Sequence, residues 1–462
     1  MNQDTICALA TANGVGAIGI IRVSGEKSFE IVSKVFKGVD LSKAPSHTVH
    51  YGFIIDGEET IDEVMVSVFH APRTFTTENS VEISFHGSPQ IAKKILEVLI
   101  KNGARMAKAG EFTMRAFLNG RIDLSQAEAI ADIIASENEA SRKLALNQLK
   151  GGISMEIKAL RADLLNFTSL VELELDFAEE DVEFADRTAL LMLLDRIEAK
   201  LKDLIESFTY GNAVKNGVEV AIIGKPNAGK STLLNALLKE ERAIVSDIAG
   251  TTRDTIEEVL HINGTAFRFI DTAGLRETTD TIEAIGVKKA KEKIASARIL
   301  LYLYDELENT PDEIAQFVKE VYREDLKIIL LHNKIDLTGG DTDVFDNSIK
   351  SLIGDSIDFE IIKLSAREKT GIDNLKGSLS VYVDNLKSEE DNVVITNQRH
   401  YESLKKSLLS VNAVRDSIKE IQTTELLAYE LRNALEYLGE ISGEFTNDEV
   451  LGNIFSKFCI GK

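Results

Sequence analysis

Cysteine, proline and long apolar runs are scarce in this chain. Its 462 residues include two cysteines, Cys7 and Cys459, and five prolines. Two cysteines so far apart provide no disulfide framework, and they favour the cytoplasm as the compartment. No apolar run approaches the roughly 18 residues of a membrane-spanning helix, and the start, MNQDTICALA, lacks the basic region of a signal peptide. Scarce proline with ordinary hydrophobic content indicates a folded globular protein, of about three domains by its length.

Positive charge is also in deficit. With 53 basic and 75 acidic side chains, the formal net charge is −22 at pH 7. Such a balance argues against a surface that coats nucleic acid, so any RNA contact must be local or shared with a partner. The terminal letters CIGK superficially resemble a prenylation box, but Gly461 is not aliphatic and no polybasic stretch precedes them. We therefore expect no lipid anchor and no membrane contact.

The most informative stretch is VEVAIIGKPNAGKS, which ends at Ser231. It matches the pattern G-x-x-x-x-G-K-[ST] at Gly224, Gly229, Lys230 and Ser231. The glycines let backbone N–H groups surround phosphate oxygens, Lys230 reaches the β- and γ-phosphates, and the Ser231 hydroxyl can ligate Mg²⁺. The TLLNALL run behind them predicts a helix whose N-terminal end favours the anion. This stretch predicts a phosphate-binding loop.

Three motifs further along identify the nucleotide as GTP. DTAG at Asp271–Gly274 stands where NTPases place a Mg²⁺-binding Asp and a Gly amide near the γ-phosphate. NKID at Asn333–Asp336 supplies Asp336, whose carboxylate can accept both N–H protons of a guanine edge, whereas adenine offers no matching donors. SAR at Ser365–Arg367 can lend a backbone contact to the guanine oxygen. Because the motifs occur in this order, each after an apolar strand pattern, they predict a GTPase.

Some positions depart from a Ras-like switch protein. Leu275 follows DTAG where Ras-like enzymes place a Gln that orients the attacking water, so another polar group must do this. The segment GTTRD, Gly250–Asp254, supplies Thr252 as a candidate Mg²⁺ ligand. The amide oxygen of Asn227, inside the phosphate loop, could ligate a monovalent cation that replaces the charge of an arginine finger. An Asn chosen only for its turn angles explains the sequence equally well.

Composition divides the chain into regions. Residues 1–118 mix strand patterns such as GAIGIIRV and SVEISFH with a helix near Gln90–Asn102, which predicts an α+β domain. Residues 119–212 and 385–462 carry apolar residues at helical spacing, and residues 213–384 hold the GTPase motifs. The expected fold class is multidomain: an α+β N-terminal domain, a helical domain built from two chain segments and an inserted α/β P-loop GTPase domain. One helical apolar stripe consists of Leu427, Leu431, Ala434, Leu435 and Leu438.

Segments inside and outside the GTPase core resemble a single family. They are DTI…IGIIRVSG, PRTFTTENSVEISFHG, GEFTMRAFLNGRIDLSQAEAIADII, GKPNAGKSTLLNALL, AIVSDIAGTTRD, DTAGLRET and the terminal CIGK. That family is the tRNA-modification GTPase MnmE, also called TrmE. The resemblance is collinear from end to end, whereas Ras-like, Era-like and Der-like proteins share only the core motifs.

The resemblance implies a function and a set of partners. Members of the family act with an FAD-binding partner, MnmG (GidA), to modify C5 of the wobble uridine in certain tRNAs, and they require GTP hydrolysis. The one-carbon unit comes from a tetrahydrofolate derivative, in its 5,10-methylene or 5-formyl form. The resemblance also implies a homodimer held by a folate-binding N-terminal domain. The two GTPase domains of that dimer meet when K⁺ and GTP are bound, with Mg²⁺ on the nucleotide.

The resemblance further assigns roles to single residues. Glu283 would orient the attacking water that Leu275 cannot, Arg276 would position the second switch, and Cys459 would be the tail cysteine of the tRNA chemistry. Lys230 is the fourth catalytic candidate. Mg²⁺ falls on Ser231 and Thr252, K⁺ on Asn227, Ser246, Ile248 and Thr251, and folate on Arg22, Glu82, Arg121 and Lys462. The GTP-binding positions are Asn227, Ala228, Gly229, Lys230, Ser231, Thr232, Ser246, Asp247, Ile248, Ala249, Gly250, Thr251, Thr252, Asp271, Thr272, Ala273, Gly274, Asn333, Lys334, Asp336, Ser365 and Ala366.

The sequence departs from the family pattern at three positions near the expected folate site. Ser88 stands where the family often has a second Gly, and Asn13 stands where a Pro is common. Arg121 stands where many members have Lys, which keeps the charge but changes the donor geometry.

The local sequence around four of these residues is also compatible with simpler structural roles. Glu283 fits a solvated helical face, Arg22 a strand-edge cation, Lys462 a chain end and Cys459 a packed side chain. The alternative function is a regulatory or ribosome-assembly GTPase of the Era or Der type, without base chemistry. The N-terminal region and the CIGK tail favour tRNA modification, because an assembly GTPase would need neither.

Overall fold

Two compact units make up the chain. The first comprises Met1–Ala135, Ala145–Leu201 and Glu402–Lys462, and the second comprises Ser136–Leu144 and Lys202–Tyr401. The computed structural model describes residues 4–176, 187–241, 258–270, 294–295, 297–337, 343–386, 393–419, 424–446, 448–456 and 458–461. Among these residues, no helix is both long enough and apolar enough to cross a membrane.

A seven-stranded sheet organises the N-terminal part of the first unit, in the order β3-β4-β5-β6-β2-β1-β7. Its strands are β1 (Ile6–Leu9), β2 (Ile18–Ser24), β3 (Phe36–Lys37), β4 (Thr48–Asp56), β5 (Glu59–Phe69), β6 (Ser80–His86) and β7 (Arg105–Met106). Alternation along the strands gives the sheet two different faces. Helices α1 (Ser28–Val35) and α2 (Pro89–Lys101) cover one face and share its apolar core. On the other face, Phe112 of α3 (Glu111–Leu118) packs with Ile6 and Ala8.

Helices from both ends of the chain complete the first unit. The earlier ones are α4 (Leu124–Ala135), α5 (Glu139–Leu149), α6 (Gly152–Asp176) and α7 (Arg187–Asn216), of which α5 and α7 have residues in both units. The apolar stripe at residues 427–438 is buried as its spacing predicts, in a helix that packs against α6. The expected helical domain of two chain segments is therefore confirmed. The later segment contributes three helices, over Gln398–Lys419, Thr424–Ser442 and Asp448–Phe455.

The second unit contains a six-stranded sheet in the order β13-β12-β11-β8-β10-β9. Among the described strands of this sheet, β9 alone pairs antiparallel with its neighbour, so the other five strands point their carboxyl ends to one edge. Loops that leave this edge form the usual ligand site of such sheets. The strands are β8 (Val218–Gly224), β9 (Glu258–Ile262), β10 (Thr265–Phe269), β11 (Ile299–Tyr304), β12 (Lys327–His332) and β13 (Phe359–Lys363). The helices of this unit after the phosphate loop are α8 (Lys230–Glu241), α9 (Pro311–Val321), α10 (Asp343–Ile353) and α11 (Ile372–Asn385). The helices of the later helical segment follow in chain order as α12 (Gln398–Lys419), α13 (Thr424–Ser442) and α14 (Asp448–Phe455).

Candidate nucleotide-binding site

The phosphate-loop motif lies between β8, inside the sheet, and the start of α8. Asn227 and Gly229 both adopt the left-handed backbone region, with φ of 62° and 99°. A side chain at Gly229 would also place its Cβ 2.3 Å from Nδ2 of Asn333. Glycine is therefore required there by both backbone conformation and space. The loop has the strand–loop–helix setting that its sequence pattern predicts.

Two lysines of the loop have different partners. The Nζ atom of Lys230 donates to the carbonyl oxygens of Gly224, at 2.5 Å, and Lys225, at 2.8 Å. The ammonium group of Lys230 therefore lies against the backbone of the phosphate loop. The Nζ atom of Lys225 instead donates to the Glu308 carbonyl at 2.7 Å and to Oε2 of Glu313 at 2.8 Å. That hydrogen bond lowers the pKa of Glu313, and it ties the phosphate loop to the start of α9.

Asn333 connects three loops at the carboxyl edge of the sheet. Its Nδ2 donates to the carbonyl oxygen of Ala228 in the phosphate loop at 2.7 Å. Its Oδ1 accepts from the backbone N–H of Ala366, after β13, at 2.9 Å. Its own N–H donates to the Tyr304 carbonyl at the end of β11, at 2.8 Å. Asn333 is 3% exposed, so these hydrogen bonds are shielded from water.

The residues after Asn333 fall into buried and open positions. Lys334 has a left-handed backbone, with φ of 63°, and its Nζ lies 2.7 Å from Oδ2 of the buried Asp305. Asp336 is exposed, so its carboxylate is accessible to a ligand. Ser365 and Ala366 are buried, and Ser365 donates its N–H to the Thr370 carbonyl, which closes the loop. The predicted base-recognition motifs thus meet beside the phosphate loop.

The structure adds partners that the motifs do not reveal. Asp305 and Lys225 lie outside the predicted site, yet they hold Lys334 and the phosphate loop in place. The only sequence signal for Asp305 is its position directly after the apolar run of β11. Ser231 is half-buried in the first turn of α8, next to Lys230, and Thr232 is exposed. Several predicted positions lie outside the described residues: Ser246, Asp247, Ile248, Ala249, Gly250, Thr251, Thr252, Asp271, Thr272, Ala273, Gly274, Arg276, Glu283 and Lys462.

A second cluster in the first unit gathers three of the predicted folate residues. Arg22 lies on an inner strand of the sheet rather than an edge, and its Nη2 is 2.8 Å from Oε1 of Glu82. Its guanidinium lies 5.3 Å from the Phe75 ring centroid and 5.6 Å from that of Phe112. Arg121 also lies over Phe75, at 5.0 Å. Burial, together with the nearby charge of Arg22, lowers the pKa of Arg121.

Aromatic rings are the part of this cluster that the sequence analysis did not single out. Phe75 contacts both arginines, and its carbonyl oxygen accepts a hydrogen bond from Nη1 of Arg121 at 2.6 Å. A cavity of about 520 Å³ opens beside Phe75 and Arg121. Flat, apolar walls with cationic groups suit a planar, anionic ligand.

The C-terminal tail returns to the N-terminal sheet. Ile460 forms a backbone bridge with Ala109, and Gly461 is buried against the end of β1. Cys459 between these contacts is exposed, whereas Cys7 is buried in β1 and burial raises the pKa of its thiol to about 12. Because the thiolate is the reactive form, this burial disfavours reaction at Cys7 at neutral pH. Cys459 is thus the accessible thiol of the two.

Comparison with known proteins yields matches over nearly the whole chain. The family model described as "MnmE helical domain" matches residues 124–459, and "GTP-binding protein TrmE N-terminus" matches residues 5–121. The tRNA modification GTPase MnmE of Flavobacterium johnsoniae is 50% identical over 470 residues, with 100% of both chains covered. The protein of the same name from Bacteroides thetaiotaomicron is 48% identical over 471 residues, again with 100% of both covered.

Among solved structures, Era in complex with MgGDPNP and nucleotides 1506-1542 of 16S ribosomal RNA is 30% identical to this chain. It has a TM-score of 0.27, and the match covers 42% of this chain and 66% of that chain. The full-length relatives and the two family models carry the assignment, together with the phosphate loop. This chain belongs to the MnmE (TrmE) family of tRNA modification GTPases and is a GTP-hydrolysing enzyme.

Proposed function

We propose that this chain is the GTP-hydrolysing subunit of a complex that modifies C5 of the wobble uridine in tRNA. It works in the cytoplasm with the FAD-binding partner MnmG and takes a one-carbon unit from a tetrahydrofolate derivative, in its 5,10-methylene or 5-formyl form. The observation that supports this best is that one chain holds two chemically different candidate sites. The first is the loop cluster around Asn333, and the second is the arginine–phenylalanine cluster around Phe75.

The first candidate site fits a guanine nucleotide. The exposed Asp336 would accept the two N–H protons of the guanine edge, and the backbone at Ser365 and Ala366 would contact the guanine oxygen. Asn227, Ala228, Gly229, Lys230 and Thr232 would surround the phosphates. The segments 246–252 and 271–274 would complete the site, in the roles that the family resemblance gives them.

Mg²⁺ fits the donors of this site. Ser231 offers a hydroxyl at the start of α8, and the described residues hold no cluster of three or more His, Cys, Asp or Glu that could bind a metal alone. Such a donor set suits a cation that takes most of its ligands from nucleotide phosphates and water. Ser231 and Thr252 would hold the ion, which when bound supplies charge neutralisation on the β- and γ-phosphates.

Asn227 is the proposed side-chain ligand of K⁺, with backbone at Ser246, Ile248 and Thr251. Its side chain is exposed and its φ is 62°, so both a cation ligand and a turn residue fit. Asn227→Gly separates the two roles, because glycine keeps the backbone angles and removes the amide oxygen. We expect K⁺ to accelerate GTP hydrolysis strongly over Na⁺ at matched ionic strength, and Asn227→Gly to abolish the difference. Equal wild-type rates in the two salts would rule out the K⁺ role.

Hydrolysis also requires a group that orients water, and we propose Glu283, with Arg276 positioning the second switch. This assignment follows from the family resemblance and from Leu275, which cannot orient water. Glu283→Ala should leave GTP affinity intact and lower hydrolysis by roughly two orders of magnitude, the scale of losing such a group. A rate within about twofold of wild type would assign the water to another residue.

The second candidate site fits the folate. Arg22 and Arg121 can bind the ligand's carboxylates, Phe75 can stack on its rings, and Glu82 can accept from ring N–H groups. The terminal Lys462 would close the site, and the exposed Cys459 would lie in the tail beside it. The folate supplies the one-carbon unit when bound. We expect 5-formyltetrahydrofolate to bind the purified chain by calorimetry and Arg22→Gln to abolish that binding.

The modification role is tested by nucleoside analysis of tRNA from a strain that lacks its own enzyme of this family. Expression of this chain with its cognate partner should restore the wobble modification, and Lys230→Ala should not. A regulatory or ribosome-assembly GTPase would instead leave tRNA nucleosides unchanged and alter the ribosomal subunit profile. We also propose that the domains and domain segments of this chain have the bounds 1–118, 119–212, 213–384 and 385–462.

A further inference from the structure

A buried network lies directly behind the base-recognition loops. Asp346 of α10 accepts two hydrogen bonds at its Oδ1, from the Tyr304 hydroxyl at 2.6 Å and from Nδ1 of His332 at 2.7 Å. The Tyr304 and His332 rings pack at a centroid distance of 4.7 Å. Tyr304 and His332 are fully buried and Asp346 is 4% exposed. None of the three belongs to a nucleotide-binding motif.

Each ring residue is one peptide bond away from a loop of the site. Tyr304 ends β11 and precedes Asp305, the partner of Lys334, and His332 ends β12 and precedes Asn333. The two are opposite each other in the sheet register. The Tyr304 carbonyl accepts from the Asn333 N–H, and the His332 carbonyl accepts from the Leu364 N–H, both at 2.8 Å. The backbone of each ring residue is therefore directly joined to a loop that carries base-recognition groups.

The network depends on a single acceptor atom. Asp346 Oδ1 accepts from both rings, while its Oδ2 has no hydrogen-bond partner among the described residues and lies 3.7 Å from the Lys363 Nζ. On the other side of the imidazole, Nε2 of His332 lies 3.6 Å from Oε1 of Glu306 and has no hydrogen bond to any residue that the structure describes. Loss of the Asp346 oxygen would leave the Tyr304 hydroxyl buried without its acceptor and free the imidazole to turn. The orientation of both rings thus depends on α10.

We propose that Asp346 is a positioning residue for guanine recognition, which holds the Asn333–Asp336 loop in its binding geometry through Tyr304 and His332. This inference rests on the proposed guanine-binding role of Asp336. It makes base affinity and base discrimination depend on a helix outside the nucleotide motifs. The phosphate loop is held by Asn333 but also has a second support, from Lys225 to the Glu308 carbonyl and the Glu313 carboxylate, so we expect phosphate chemistry to depend less on the network than base recognition does.

The test compares binding of GDP and of inosine diphosphate. Inosine diphosphate lacks the exocyclic amino group from which Asp336 would accept a hydrogen bond. Asp346→Ala should raise the KM for GTP and the Kd for GDP on the order of tenfold, lower the GDP preference, and leave kcat near wild type. Asp346→Asn retains an acceptor oxygen and should restore much of the affinity. A merely structural loss would reduce the amount of active protein and leave the ratio of the two affinities unchanged.

Asp343→Ala is the matched control, because Asp343 lies on the same helix, is 78% exposed and pairs only with Lys363 in the described residues. It should bind both nucleotides like wild type. If Asp346→Ala does not fold, Tyr304→Phe removes one arm of the network with little change in volume and should still weaken GDP binding several-fold. Unchanged affinity and ratio in these variants would overturn the inference.

A variant at Asp336 tests the guanine-site assignment separately from the positioning role of Asp346. Asp336→Ala should abolish the preference for GDP over inosine diphosphate. If Asp336→Ala does so and Asp346→Ala has no effect, only the positioning role fails. If Asp336→Ala leaves the preference unchanged, the guanine-site assignment fails and the positioning role with it.

Discussion

At the scale of single residues, identical side chains in one loop have different chemical environments. Lys225 and Lys230 both belong to the phosphate loop, and both donate to backbone carbonyls. Lys225 is anchored by the carboxylate of Glu313 on α9, whereas Lys230 donates to two carbonyl oxygens of the loop itself. Lys230 is therefore the lysine whose ammonium group lies against the phosphate loop itself, where it can contact a nucleotide phosphate.

Lys230→Ala should weaken GTP binding about 10- to 100-fold, because a hydrogen bond to a charged group contributes about 1.5–3 kcal/mol. Lys225→Ala is the control within the same loop, since it removes a cation of equal charge that faces α9. Its GTP affinity should remain within about threefold of wild type, as expected of a partly exposed ion pair. Fluorescent nucleotide titration measures both. Equal losses in the two variants would contradict the division of roles.

At the scale of elements, the last residues of the chain form part of the N-terminal structure. Gly461 has φ of 99°, and a Cβ there would lie 2.2 Å from the Leu9 carbonyl oxygen at the end of β1. Phe455 and Phe458 are buried beside α4, which anchors the segment before it. The tail is therefore fixed from both sides around the exposed Cys459. Such close backbone approach depends on the absence of a side chain.

Gly461→Ala should detach the tail, because the left-handed angle costs an alanine about 1–2 kcal/mol and the backbone oxygen of Leu9 cannot move aside cheaply. Hydrogen exchange of a peptide from the tail should rise, and the reaction of Cys459 with a thiol reagent should change. Gly452→Ala is the control, since Gly452 lies in α14 and an added Cβ there would have open space around it. That variant should keep the wild-type exchange rate. Protection retained in Gly461→Ala would show that the tail tolerates a side chain.

A charge network joins the start of β1 to α3. The buried Arg115 lies 2.8 Å from Asp4 and 3.2 Å from Glu111, and Arg105 lies 2.6 Å from each of these carboxylates. The hydrogen bond from Arg105 lowers the pKa of Asp4. Burial alone would raise the pKa of Glu111, but hydrogen bonds from Arg105, the Lys108 N–H and Arg115 hold it below its usual value.

This network predicts acid sensitivity of the N-terminal sheet. A carboxyl whose folded pKa is depressed adds stability above its unfolded pKa of about 4, and this stability is lost as the pH falls through the folded value. The thermal midpoint of the wild type should therefore decrease once the pH is lower than about 4. Glu111→Gln should have a lower midpoint at pH 7 and a flatter acid dependence. Glu30→Gln, which removes an exposed ion pair with Lys34, should match wild type; an equal change there would contradict the network's importance.

At the scale of the whole molecule, one sheet face has the character of an interface. Val49 and Tyr51 are both 55% exposed, Met65 is 45% exposed and Ile18 is 67% exposed. Tyr51 and Met65 are register partners on β4 and β5, and by strand alternation this face also carries Arg22 and Glu82. Exposed apolar clusters of this kind often mark contacts between subunits. The homodimer that the family resemblance implies would pair this face, next to the proposed folate site.

Met65→Glu should therefore convert a dimer to a monomer, because a charge on an apolar interface is desolvated without a partner. Sedimentation velocity over a range of concentrations measures this. Tyr429→Glu is the control, since Tyr429 is 57% exposed but lies on α13 of the helical segment. It should sediment like the wild type. A monomeric wild type, or a dimeric Met65→Glu variant, would place the interface elsewhere or remove it.

The sequence by itself determined the phosphate loop, the order of the nucleotide motifs, the strand patterns of the N-terminal sheet and the buried stripe at residues 427–438. These features are local: each depends on residue types within one element, and phosphate binding or helix burial restricts those types directly. The resemblance to the family could be recognised from sequence segments alone. So could the fold class, since apolar periodicity changes where the structural class changes.

Only the tertiary structure decided which distant side chains meet. Asp346 contacts His332 and Tyr304 across 14 and 42 residues, Lys225 contacts Glu313 across 88, and Arg115 contacts Asp4 across 111. Charged and aromatic residues are common on helices and strands, so their types do not identify their partners. Chain folding brings them together, and burial then makes each pairing strong, because an unpaired polar group in the interior is costly. For that reason the motifs could be read from the sequence, and the network that supports them could not.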